Sequence, residues 1–181
     1  EISNGTTLNL KGNGIVDGAG SAGSVIAVTG AASTLNMNHD GGNVTIKGGT
    51  GTRVNKPGRY ENLSAYNHQY IAGGGILVQV DAGGNGGAKL DMHGGTVANN
   101  TANAGGGIFI DRTCSFYMNG GEVKNNTAKR YEGGGIFTAG NGDGRGRNHA
   151  TIAAGTITGN TSETTFAWGG GGIFVENAGT L

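Results

Sequence analysis

One five-residue word, Gly-Gly-Gly-Ile-Phe, punctuates this chain. It stands at 105–109, 133–137 and 170–174, with a near copy, Gly-Gly-Gly-Ile-Leu, at 73–77. Three glycines in a row suit neither a helix interior nor a long flat strand. They allow a sharp bend and a close approach of two backbones. The apolar pair that follows opens a short strand at Ile76–Val80, Ile108–Asp111, Ile136–Ala139 and Ile173–Glu176. The isoleucines are 32, 28 and 37 residues apart, steps too unequal for helical repeats. Fixed strands joined by turns of variable length predict an all-β fold: a parallel β-helix of about five to six coils, three short strands to a coil.

Two more words recur. Leu90–Val97 and Phe116–Val123 share the pattern apolar-X-Met-X-Gly-Gly-X-Val. Ile152–Ile157 is a shortened form, Leu35–Val44 a lengthened one, and Leu8–Ile15 a further copy. Leu8, Leu35, Leu90, Phe116 and Ile152 are expected to form one inward column. Leu10, Met37, Met92, Met118 and Ala154 are expected to form the next. The third word, Val-X-Asn-Asn-Thr-Ala or its variant, aligns Asn100, Asn126 and Asn160. Asparagine suits left-handed corners, and stacked amides can hydrogen-bond from one repeat to the next. The Asn-X-Thr triplets at Asn99 and Asn125 match a glycosylation pattern, but the repeat accounts for them.

Composition narrows the classes. The 181 residues suit one domain, 1–181, with an insertion at 50–72 that breaks the repeat. Glycine supplies 41 residues without a Gly-X-Y period, and proline only one, which excludes collagen. Twelve basic against twelve acidic residues give no general attraction to nucleic acid. No apolar run is long enough for membrane insertion by a helix. Cys114 is the only cysteine, so no internal disulfide or thiolate metal cluster is possible, and it reads as a small buried side chain.

Strand alternation separates two faces. Ile76/Val78/Val80, Ile108/Ile110, Ile136/Thr138 and Ile173/Val175 are rich in β-branched residues and are assigned to the core. That leaves Leu77, Phe109, Phe137 and Phe174 in an outer column, with Tyr70, Tyr131 and Trp168 just ahead of the glycine triplets. An exposed aromatic strip is a candidate ligand surface; rings packed on one another are the plainer alternative. The insertion adds Arg53, Arg59, Tyr60 and Tyr66, a basic and aromatic set able to hold sugars or acidic groups. The turns around Asp81 and Asp143 lack the regular repetition and second carboxylate of calcium-binding repeats. No metal ligand, cofactor or catalytic residue is assigned.

The words GGGIF … FYMNGGEVKNNTA … GGGIF resemble the GGGIY … MNGGTISGNTA units of glycine-rich adhesin-like proteins of bacterial and archaeal cell surfaces. They are loosely similar to the GGAI repeats of chlamydial polymorphic outer-membrane proteins. The resemblance covers about 73–181 well and the first 50 residues weakly. It implies a right-handed, pectate-lyase-like β-helix in a longer, extracellular cell-surface protein, engaged in adhesion or matrix contact. It supplies no catalytic residues.

The first functional expectation is therefore a non-catalytic surface module that binds a glycan or host surface, or acts as a stalk. An end-to-end fibre comes second, since uncapped strands template strand addition. A polysaccharide lyase comes third: it needs converging acids and bases, and the nearest candidates are Lys89 with Asp91 and Asp111 with Arg112. Ice binding would need Thr-X-Thr on every coil. Thr156/Thr158 fits, but Thr96/Ala98 and Glu122/Lys124 do not.

Overall fold

A computed structural model describes residues 1–54, 71–81, 84, 86–140, 149–164 and 169–176. Among them the protein is all-β, without a helix, and its strands pair in mostly parallel sheets. The one antiparallel strand pair among the described residues is β6 (Thr52–Arg53) with β7 (Ile71–Ala72), at the two ends of the insertion.

The glycine-led strands form one sheet: β3 (Ile26–Thr29), β8 (Ile76–Gln79), β12 (Ile108–Ile110), β15 (Ile136–Thr138) and β18 (Ile173–Val175). Its register follows the words. Ile26, Ile76, Ile108, Ile136 and Ile173 are successive partners, as are Ala27, Leu77, Phe109, Phe137 and Phe174. Like side chains thus stand over like side chains, and β3 substitutes for a glycine word absent upstream.

The triplets pack backbone on backbone. Gly105 has φ 57°, and Gly106 donates its N–H to the Gly133 carbonyl at 3.1 Å. A Cβ on Gly106 would lie 2.6 Å from the Gly134 carbonyl oxygen, closer than real contacts allow. Glycine here serves close approach as much as bending.

The second sheet holds two parallel files. One runs β1 (Thr7–Leu10), β4 (Thr34–Met37), β9 (Lys89–Met92) and the first part of β13 (Ser115–Lys124). The other runs β2 (Gly14–Asp17), β5 (Val44–Lys47), β10 (Thr96–Ala98) and the last part of β13. β16 (His149–Thr158) pairs along both parts of β13. The second and third strands expected for each repeat are therefore one continuous, irregular strand in β13 and β16. A further file, not expected as strands, is built from the Asn-Thr corners: β11 (Thr101–Ala102), β14 (Thr127–Ala128) and β17 (Thr161–Ser162).

Three expected alignments are corrected. Phe116 pairs with Ala150, not Ile152, which stands opposite Met118; Ala154 falls opposite Asn119 and is exposed. Val123 and Val97 line up with Ile46 and then Val16, not with Val44 and Ile15. Ile15 is 65% exposed as a result, because a shift of one residue turns a strand side chain to the opposite face. Val44, two residues from Ile46, keeps its parity and stays buried.

One apolar cluster draws on both large sheets: Ile76, Val78, Ile108, Ile110 and Ile136 from the first, with Leu35, Met37, Leu90, Met92, Phe116 and Met118 from the second. Removing each such side chain from water contributes about 1.5–3 kcal/mol. Cys114 is a buried free thiol within this cluster. Burial and the adjacent Asp111 carboxylate push its ionisation well above the usual thiol range.

Candidate functional site

Three of the seven residues expected in the outer strip are not at the surface. Leu77, Phe109 and Phe137 are 0% exposed. They form a second apolar cluster with Val54, Ala72, Ala104 and Ala139, against which Tyr131 and Phe174 pack. Phe109 and Phe137 stack with centroids 5.1 Å apart, and Phe137 and Phe174 stand 5.2 Å apart. Strands β8, β12 and β15 are thus buried on both faces, and these rings serve packing. Tyr131 is half-buried, and Arg53, at the base of the insertion, is exposed. Tyr70, Trp168, Arg59, Tyr60 and Tyr66 lie outside the described residues, as do Asp143 and Ala82, Gly83 and Asn85 of the turn after Asp81.

The aligned asparagines form a continuous ladder. Asn126 Oδ1 accepts from Asn100 N and Nδ2, both at 3.0 Å, and Asn160 Oδ1 accepts from Asn126 in the same way. Each Nδ2 also donates to a carbonyl of the neighbouring repeat: Asn100 to Ile46, Asn126 to Val97, Asn160 to Val123. Those three carbonyl residues are themselves register partners. The left-handed corners belong to the preceding residues, Asn99 (φ 55°), Asn125 (φ 54°) and Gly159 (φ 62°). The ladder is structural, since its amide donors and acceptors are used within the stack.

Buried carboxyls accompany the glycine-led sheet. Asp111 follows β12, is fully buried, and accepts from Arg112 N at 2.8 Å through Oδ1, while Oδ2 has no hydrogen-bond partner. Burial raises its pKa to about 6. Burial likewise raises Glu132.

The second sheet carries a polar outward row, Asn9, Asn36, Asp91 and Tyr117, in mutual register. Asn36 Nδ2 donates to Asn9 Oδ1 at 2.7 Å. Lys89 reaches Asp91 Oδ2 at 2.9 Å and lies 5.1 Å from the Tyr117 ring centre. On the other side of Asp91 stand two imidazoles. His93 Nε2 is 3.2 Å and His39 Nε2 3.8 Å from the same oxygen, Oδ1. The two rings lie 3.7 Å apart. Asn119 Nδ2 is 3.3 Å from His93 Nε2. The Asp91 side chain is 15% exposed, the imidazoles 39% and 41%. Oδ1 is buried and lacks a hydrogen-bond partner of proper geometry.

Asn38 makes this cluster possible. It has φ 50°, accepts from Val44 N through Oδ1 at 2.9 Å and donates from Nδ2 to the Gly12 carbonyl at 2.8 Å. The lengthened corner after β4 therefore closes on a buried amide and leaves His39 beside His93. In sequence, Asp91 reads as a single water-facing carboxylate. Aligning Met37 with Met92 puts His93 opposite Asn38, so the only signal for the cluster is a histidine one residue further on.

No protein-family model, curated protein or solved structure matches the chain. Among the described residues the chain is an all-β protein of mostly parallel sheets, with like side chains in register and one mixed His/Asp/Lys cluster on an outward face.

Proposed function

We propose that the sheets are the faces of a right-handed parallel β-helix, and that this module is a non-catalytic spacer in an extracellular surface protein of the adhesin-like kind. The observation that carries it is the Asn100–Asn126–Asn160 ladder, in which each repeat satisfies the buried polar groups of its neighbour. Such a device serves stacking and offers nothing to a substrate. The glycine words and their resemblance to surface repeats support the setting. Burial of Leu77, Phe109 and Phe137 favours the spacer over an aromatic adhesive face. The lyase reading draws on Lys89, Asp91 and His93, but Lys89 is engaged by Asp91 rather than open as a base.

The test is a panel of acidic and neutral polysaccharides, read for product and for retention on immobilised glycan. The spacer reading expects neither. Unsaturated product would establish a lyase, and saturable retention an adhesive site.

A further inference from the structure

We infer that His39, Asp91 and His93 form a binding site for one divalent transition-metal ion, of the zinc, cobalt or nickel type, that clips the corner after β4 to strand β9. The donor atoms already lie within 4.8 Å of one another. Two imidazoles and a carboxylate suit borderline cations and not calcium or magnesium, which require mainly oxygen. Donors at about 2.0–2.1 Å from a tetrahedral ion stand about 3.3 Å apart. His93 Nε2 and Asp91 Oδ1 are 3.2 Å apart, and His39 Nε2, at 3.8 Å from that oxygen, needs only a small turn of an exposed ring.

An independent observation points the same way. Asp91 Oδ1 is buried and makes no hydrogen bond of proper geometry, its near neighbours being the His93 and His39 Nε2 atoms at 3.2 Å and 3.8 Å. Both Nε2 atoms flank that oxygen. Lys89 occupies the other oxygen, Oδ2, and so orients the carboxylate as outer-shell partners do in metal sites. The Asn119 amide stands 3.3 Å from His93 Nε2, and turned over it offers Oδ1 as a fourth donor.

The experiment uses the full chain, stripped with chelator, dialysed, and titrated with Zn2+ by calorimetry and with Co2+ by visible absorption. One ion per chain is expected, with the intense ligand-field bands of a four-coordinate Co2+ site and a rise in thermal midpoint. His39→Ala and His93→Ala should each weaken uptake at least tenfold, and Asp91→Asn should do the same. His149→Ala, which removes an exposed imidazole at the start of β16, should leave it unchanged. Circular dichroism of each variant checks that it is folded. Absence of uptake by the folded wild-type chain overturns the site, as does uptake that survives His39→Ala combined with His93→Ala. Neither result touches the stacking of the repeats.

Discussion

The glycine-led sheet and the file β1–β4–β9–β13 share the same alternation of side chains, yet their outward faces differ. In the first, the outward column Leu77, Phe109, Phe137 is as buried as the inward one. In the second, the outward row Asn9, Asn36, Asp91, Tyr117 remains in contact with water. Alternation reports which residues share a face. It does not report whether an outward apolar face is covered. An apolar column there is itself the sign of a cover, because burying large side chains on both faces removes much more apolar area from water than burying one.

The largest test of this contrast is truncation of the rings. Phe109→Ala should lower unfolding free energy by about 3–5 kcal/mol, as for a core position. Tyr117→Ala, on the outward row of the other sheet, should cost well under half of that. Urea denaturation of the two variants side by side checks the difference, and equal costs would erase the distinction between the faces.

The two amide systems sharpen it next. Asn126→Ala strands the Asn100 N–H and the Val97 carbonyl in the interior, and should cost about 2–4 kcal/mol. Asn36→Ala removes a bond on a water-facing row and should cost about 0.5 kcal/mol or less. Thermal midpoints measured at one scan rate would order them.

The third contrast is electrostatic. Asp111 carries a pKa raised to about 6 by burial, against 3.8 in the unfolded chain. Between those values the folded chain holds a proton that the unfolded chain has lost, so this group's contribution falls as pH rises from about 4 to 6 and then levels off. The lost stability is about 2–3 kcal/mol. Asp111→Asn keeps an acceptor for Arg112 N and removes the titration. Its urea midpoint should therefore gain on the wild type between pH 4 and pH 7. Parallel pH profiles would show that Asp111 bears no such penalty.

Much of the strand arrangement is legible because identical words pair with identical words. The isoleucine file needs no more than an alignment of Gly-Gly-Gly-Ile, and β3 joins it by its alternation alone. Legibility fails where corners change length. The corner between β1 and β2 is one residue longer than the words suggest, so Ile15 appears inward from sequence and is outward in the fold. The start of β16 is not legible because Ala150 is too small to mark an inward position by hydrophobicity. The His39/Asp91/His93 cluster depends on the left-handed turn at Asn38, a corner the recurring words do not place. The cover over the phenylalanines was hidden for a different reason: Val54, Ala72, Ala104 and Ala139 are scattered and mostly small.

Each repeat lies in register on the next, and an engineered disulfide can trap that register. Thr127 and Thr161 are register partners in β14 and β17. Neighbouring parallel strands put such Cα atoms about 4.8 Å apart, within reach of a disulfide, whereas Glu163, two residues further on, is about 8 Å from Thr127. In a Cys114→Ala background, Thr127→Cys with Thr161→Cys should close under mild oxidant, and Thr127→Cys with Glu163→Cys should stay reduced. Closure of the second pair with the first left open would contradict the register and the stacked architecture built on it.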